Sequence, residues 1–274
     1  MTRHASQIGS VQPVLFIPHG AGPCFFMDWS PKDTWRGMAD FLTDIQANLP
    51  AKPRAILMVS AHWLATQFSI TSGKQPDLIY DYYGFPDHTY ELTYPAPGDP
   101  TLAQRVAQLL NTAGISNCQD DSRGFDHGMF IPLKLIFPQA DIPVVQLSLC
   151  NDLDPQAHLA VGKALASLRA EGVLIIGSGM SFHNMRGYGD RNFTERSEVF
   201  DQWLTETVAT QEQQRWINLS DWSHAPYATD CHPLGREEHL IPLMVVAGAA
   251  GDDVGHKVYS EQVLETRLSA FRFG

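Results

Sequence analysis

Short, largely apolar runs alternate along this chain with amphipathic segments. Val14–Ile17, Ala55–Val59, Val144–Leu149 and Val173–Ile176 are each too short for a helix of ordinary length and rich in branched residues. That pattern predicts strands buried on both faces, as in a parallel sheet with helices on either side. Gln67–Thr71 alternates like a half-buried strand, and the tail Lys257–Phe273 reads as one or two edge strands. Between them lie predicted helices. One is opened by Ser30 and Pro31 and runs to about Asn48. One starts at Asp99-Pro100, buries Leu102, Val106, Leu109, Leu110 and Ala113, and stops at Gly114. One starts at Asp154-Pro155 and runs to about Ala170. Further helices are predicted over Phe193–Thr210, Gln213–Ile217 and Glu237–Ala249. Strand and helix alternate without repeat or linker, so the expectation is a single α/β domain over residues 1–274, a central mostly parallel sheet flanked by helices.

Two stretches lack periodicity. Tyr80 to Gly98 is dense in Tyr, Pro and Gly, and Trp222 to Leu234 is turn-rich. A loop as long as the first is either a binding loop, whose aromatics suit a flat ring, or a surface loop pinned by its own tyrosines. Both readings stand at this point.

The formal net charge of -11 argues against nucleic acid or an anionic membrane as partner, and an anionic substrate would need a local positive charge such as a bound cation. The amino terminus has no apolar core of the signal-peptide kind. The longest apolar run, around Leu240–Ala250, is too short to span a bilayer. Cys24, Cys118, Cys150 and Cys231 are far apart, which suits unpaired thiols in a reducing cytoplasm. Homo-oligomerisation is left open.

The chemistry is carried by histidine. His19, His62 and His183 each follow an apolar strand within a few residues, His127 sits in a Gly-flanked turn, and His232 in a Pro-flanked one. In a parallel sheet the carboxyl ends of the strands share one edge, so side chains distant in sequence meet in one crevice. Imidazole is both the commonest metal ligand and an acid/base near neutral pH. The economical reading is a metal held by some of these rings while others move protons. Any one of them alone reads as a hydrogen-bonded turn residue, and His4, His88, His158, His224, His239 and His256 are left at that reading. The segment GSGMSFHN from Gly177 lacks the third glycine of a dinucleotide loop and is not a nucleophile elbow.

PHG at Pro18–Gly20, SAHW at Ser60–Trp63, YDYYGFP and YPAPG between Tyr80 and Gly98, DHG at Asp126–Gly128, GSGMSFHN at Gly177–Asn184 and HPLGREEH at His232–His239 together resemble the class III extradiol ring-cleaving dioxygenases. Their DOPA 4,5-dioxygenase (extradiol) branch is the nearest. The resemblance implies a mononuclear non-haem metal site that opens a catechol ring beside its hydroxyls with O₂, giving a semialdehyde acid. It implies His19, His62 and His232 as metal ligands, with Glu238 the substitute should His232 point away. It implies Fe(II) as the working metal, with Zn(II) able to occupy a three-histidine site. His183 would be the acid/base and His127 a hydrogen-bond donor to substrate or oxygen, with Asp126 either orienting it or serving as a turn residue. Tyr83, Phe85, Tyr94 and Asp126 are the substrate-binding candidates. The competing readings are a zinc hydrolase on the same site and, as for the Memo proteins, a binding module on the same fold.

Overall fold

The computed structural model describes residues 11–274. The amino-terminal ten residues, including His4 and the stretch read for a signal peptide, lie outside the described residues. The strands are β1 (Val14–Pro18), β2 (Ala55–Ala65), β3 (Phe68–Thr71), β4 (Asn117–Asp120), β5 (Val144–Cys150), β6 (Val173–Gly179), β7 (Gly255–Val263) and β8 (Thr266–Phe273). They form one 8-stranded sheet in the order β4-β3-β5-β2-β6-β1-β8-β7. Its centre, β5-β2-β6-β1, is parallel, and antiparallel pairing enters where β3 meets β5 and where β8 meets β1 and β7. Of the tail strands only β7 is an edge; β8 is roofed on both sides, as its buried Phe271 and Phe273 require.

The helices are α1 (Arg36–Asp44), α2 (Pro100–Thr112), α3 (His127–Ile136), α4 (Pro155–Leu165), α5 (Thr194–Val208), α6 (Glu212–Ser220), α7 (Ala228–Cys231) and α8 (Ile241–Ala249). Asp99 and Asp154 cap α2 and α4 by accepting from Leu102 N and Gln156 N, with Pro at the first turn of each. The alternation of side chains along β6 shows how the layers are divided. A Cβ at Gly177 or Gly179 would collide with the carbonyl oxygens of Pro242 and His239, so α8 lies against that face. Ser178, between them, points the other way and reaches Gly128 of α3. The Gly-Ser-Gly run is therefore a packing device between two helices, not a phosphate loop.

Two expectations change, and one segment left unassigned gains a structure. The first helix starts at Arg36, not near Pro31: Thr34 closes a turn on Pro31 O and Trp35 turns inward, 4 % exposed, before the helix begins. Met129–Phe137 forms most of a helix although Pro132 interrupts it. β2 runs on through His62 to Ala65, so that histidine is inside the strand; a register shift against β5 between Val59 and Leu64 lets the bulged residues re-aim their side chains.

Candidate metal centre and active site

The carboxyl ends of β1, β2 and β6 meet at one rim, and main-chain bonds tie that rim together. His19 N donates to Gly179 O at 3.3 Å, and Met180 N donates to His239 O at 2.9 Å, so β6 brings the start of one loop and the end of another alongside β2. The rings of His19, His62 and His239 form a nearly equilateral triangle, with centroids 4.9, 5.2 and 5.0 Å apart. One ring nitrogen from each lies within 4.8 Å of the others.

The outer partner of each ring decides which nitrogen faces inward. Pro132 has no N–H to give to Gly128 O, so that carbonyl is free to accept the Ser178 hydroxyl. Ser178 Oγ, having donated there, accepts from His19 Nδ1 at 3.0 Å, which leaves His19 Nε2 as a bare lone pair. His62 Nδ1 faces Asp81 Oδ2 at 3.6 Å and His239 Nδ1 faces Glu238 Oε1 at 3.0 Å, which orients those rings in the same sense. His19 Nε2 and His62 Nε2 then sit 3.1 Å apart. Two lone pairs at that distance repel, unless a cation lies between them. Metal–nitrogen bonds of ~2.0–2.1 Å at an ordinary coordination angle separate neighbouring nitrogens by roughly 3.0–3.4 Å. The donor set fits a divalent transition ion.

Burial holds these rings neutral. It pushes His19 and His239 well below the usual imidazole pKa, with the neighbouring histidines adding to the effect. His62 is pushed down to about 3 by burial and by His127, against the opposing pull of Asp81. Neutral imidazole is the form that binds metal.

Two further histidines flank the triangle. His183 stacks on His239, centroids 3.4 Å apart and planes 15° from parallel, and burial pushes its pKa down to about 4. His127 lies 3.8 Å from His62 between ring centroids, and its Nδ1 donates to Asp81 Oδ1 at 2.8 Å. Burial raises Asp81, but the His127 hydrogen bonds and the His127 and His62 charges outweigh it and leave the carboxyl below its ordinary value. The five rings of this cluster wall a cavity of about 360 Å³ whose other lining is apolar, including Trp29, Trp35, Phe85 and Tyr188.

His232 is not in this cluster. Its ring is fully buried between Phe200 and Trp222, and Nε2 is spent on Ser181 O at 3.0 Å, so His239 stands where His232 was expected. Glu238 stands behind His239 as its Nδ1 partner. Asp81, not Asp126, orients His127. Asp126 is buried and faces inward: it accepts from Ser60 and Gln146 and pairs with Arg123, and Ser60 Oγ in turn accepts from His62 N at 3.1 Å. Burial raises the Asp126 carboxyl pKa. Of the aromatic candidates only Phe85 lines the cavity. Tyr83 is 88 % exposed, and Tyr94 is buried with its hydroxyl on Phe137 O, in another part of the molecule. The loop is pinned by its own tyrosines, Tyr80 on Leu92 O and Tyr82 on Thr89 O, and presents Asp81 and Phe85 from that frame. The pinned-loop reading is what these hydrogen bonds show. Asp81 had a sequence signal, the only carboxylate in the aromatic-rich run from Tyr80 to Phe85.

Residues 13–271 match the family model described as the catalytic LigB subunit of aromatic ring-opening dioxygenase. The chain belongs to that family. Among its relatives, a 4,5-DOPA dioxygenase extradiol from Beta vulgaris is 38% identical over 251 residues, 89% of this chain and 89% of the relative. One of the same name from Escherichia coli K12 is 33% identical over 86% of this chain and 84% of its own length. A dioxygenase from Hapsidospora irregularis, tasH, is 37% identical over 98% of this chain and 88% of its own. A crystal structure of an uncharacterized protein from Escherichia coli K12 superposes with a TM-score of 0.75 at 28% identity, covering 96% of this chain and 100% of that one. As a LigB-type protein the chain is a metal-dependent aromatic ring-opening dioxygenase of the extradiol kind, which decides against the hydrolase and binding-module readings.

Proposed function

We propose that residues 1–274 form one catalytic domain that opens catechols of the DOPA type with O₂ at an Fe(II) ion held by His19, His62 and His239. The observation that carries this reading is the triangle of three neutral rings with their free nitrogens turned together. An ion bound there supplies Lewis acidity toward the two catechol oxygens and a redox path between the ring and O₂. Iron is preferred over zinc because zinc has no redox chemistry to offer O₂.

The chain's own residues do the rest. The apolar and aromatic lining removes a flat ring from water and holds its face. His183, neutral above about pH 4, is the base that accepts a catechol hydroxyl proton at an imidazole nitrogen and later returns one to oxygen. His127, with Nδ1–H on Asp81, keeps Nε2 for a hydrogen bond inside the cavity. A second cavity of about 390 Å³ shares His183 and Met185 with the first and is flanked by Arg186, Arg236 and Glu238. Opposite charges there suit the carboxylate and ammonium of an amino-acid side chain on the catechol. The reading includes a cytoplasmic setting, which four free thiols and the lack of any membrane-length apolar helix among the described residues suit.

The test is anaerobic reconstitution with Fe(II), addition of L-DOPA in air, and measurement of O₂ uptake against a yellow ring-opened product. One O₂ consumed per ring opened is expected. Turnover that is equal with Zn(II) alone would contradict the reading.

A further inference from the structure

His232 is buried in an aromatic box, yet a phenyl ring or a leucine would fill that box without leaving a bare nitrogen. Its Nδ1 has no hydrogen-bond partner among the described residues, and Phe200 and Trp222 face it edge-on. Packing alone therefore does not account for an imidazole at this position. What the ring adds is one directed bond, Nε2–H to Ser181 O at 3.0 Å.

That bond is one of three between two short segments. His183 N donates to Cys231 O at 3.0 Å, and Asn184 Nδ2 donates to Asp230 O at 2.7 Å. Asp230, Cys231 and His232 thus grip Ser181, His183 and Asn184 in antiparallel order. Ser181 is held from its other side as well, its Oγ accepting from Ser269 N at 2.8 Å on β8. The gripped segment has left β6 at Gly179 and has no helix of its own, so these bonds fix its path. At its centre is His183, whose ring must lie flat on His239 to face the cavity.

We propose that His232 is a positioning residue for the reaction: through Ser181 O it sets the path of the loop that carries His183, and touches neither metal nor substrate. This rests on the acid/base reading of His183 given above. Misplacing a reacting group by ~1 Å costs on the order of 10²-fold in rate. Loss of one of the three bonds shifts the loop by less, so a fall in kcat of about 10-fold is expected.

The experiment compares His232→Phe, His232→Gln and Asn184→Ala as Fe(II)-loaded enzymes, with 4-methylcatechol, which has no side chain to reach the second cavity. His232→Phe is expected to lose kcat about 10-fold while KM and iron content stay within about 2-fold of the parent. His232→Gln, whose amide N–H can reach Ser181 O, is expected to recover most of that loss. Asn184→Ala removes a second bond of the same grip and is expected to lower kcat with iron retained; it keeps the test open should the Phe variant fail to fold. Unchanged kcat in His232→Phe, a Gln variant no better than Phe, or a proportionate loss of iron, KM and kcat together would overturn the proposal. His183→Ala run alongside separates the two ideas. If it keeps parental kcat, the acid/base reading fails; if it is inactive while His232→Phe is normal, only the positioning role fails.

Discussion

His232 and His239 lie in one octapeptide, HPLGREEH, are both buried and are both neutral, yet the structure gives them opposite surroundings. His239 gives its Nδ1 to Glu238 and keeps a free nitrogen toward His19 and His62. His232 gives its Nε2 to a backbone carbonyl and turns the other nitrogen into an aromatic box. Burial and a depressed pKa are common to both and so distinguish nothing. The partner of the second nitrogen, and what lies beyond the first, is what separates the ring proposed to bind metal from the one proposed to shape a loop.

The largest effect that can break this contrast is at His239. His239→Ala is expected to lose iron binding and all measurable turnover, whereas His232→Phe keeps its iron; metal analysis after gel filtration reads both. Next is His183→Ala, expected to lose ~10²–10⁴-fold in kcat with iron content intact, since in the proposed site the ring stacks on a ligand without being one. Iron loss equal to that of His239→Ala would show that the roles are mixed. Smaller is the effect at the second cavity. Arg186→Gln combined with Arg236→Gln is expected to raise KM for L-DOPA by about 10-fold, roughly the loss of one charge-assisted hydrogen bond at a partly exposed site, and to leave KM for 4-methylcatechol unchanged. Equal effects on both substrates would remove the side-chain assignment.

The last effect concerns stability and pH, not turnover. Burial holds His232 at a pKa of about 3, against 6.5 for a free ring. Below pH 6.5 the unfolded chain takes up a proton that the fold refuses, so this ring favours folding fully above that pH and its contribution declines as pH falls toward 3. One such proton is worth at most about 1.4 kcal/mol per pH unit. The metal-free His232→Gln variant is therefore expected to show a shallower loss of denaturation midpoint between pH 6.5 and 4.5 than the parent. Parallel curves would mean that the ring is protonated in the fold.

The frame of this contrast was legible in the residues. Four short, mostly apolar runs became the parallel centre of the sheet, and histidines placed just beyond or within them reached one rim. The choice between His232 and His239 was not legible, because residues 233–238 form turns with no period to say which end of the segment faces the rim. His62 falls inside its strand through a bulge that no apolar pattern announces. Asp126 looked like the orienting acid because it adjoins His127 in sequence, but its carboxylate is turned inward to Ser60 and Gln146. The acid that reaches the ring comes from Asp81, on a loop that tyrosine hydroxyls fold back over the site. Pro132 hid a helix in the sequence and, in the fold, frees the carbonyl that sets the tautomer of His19 through Ser178.

The central claim is the identity of the third ligand. Anaerobic titration of Fe(II) into the metal-free parent, His239→Ala and His232→Phe, with bound iron counted per chain, tests it most directly. The account predicts one tightly held iron for the parent and for His232→Phe, and none for His239→Ala. Iron retained by His239→Ala and lost from His232→Phe would contradict it.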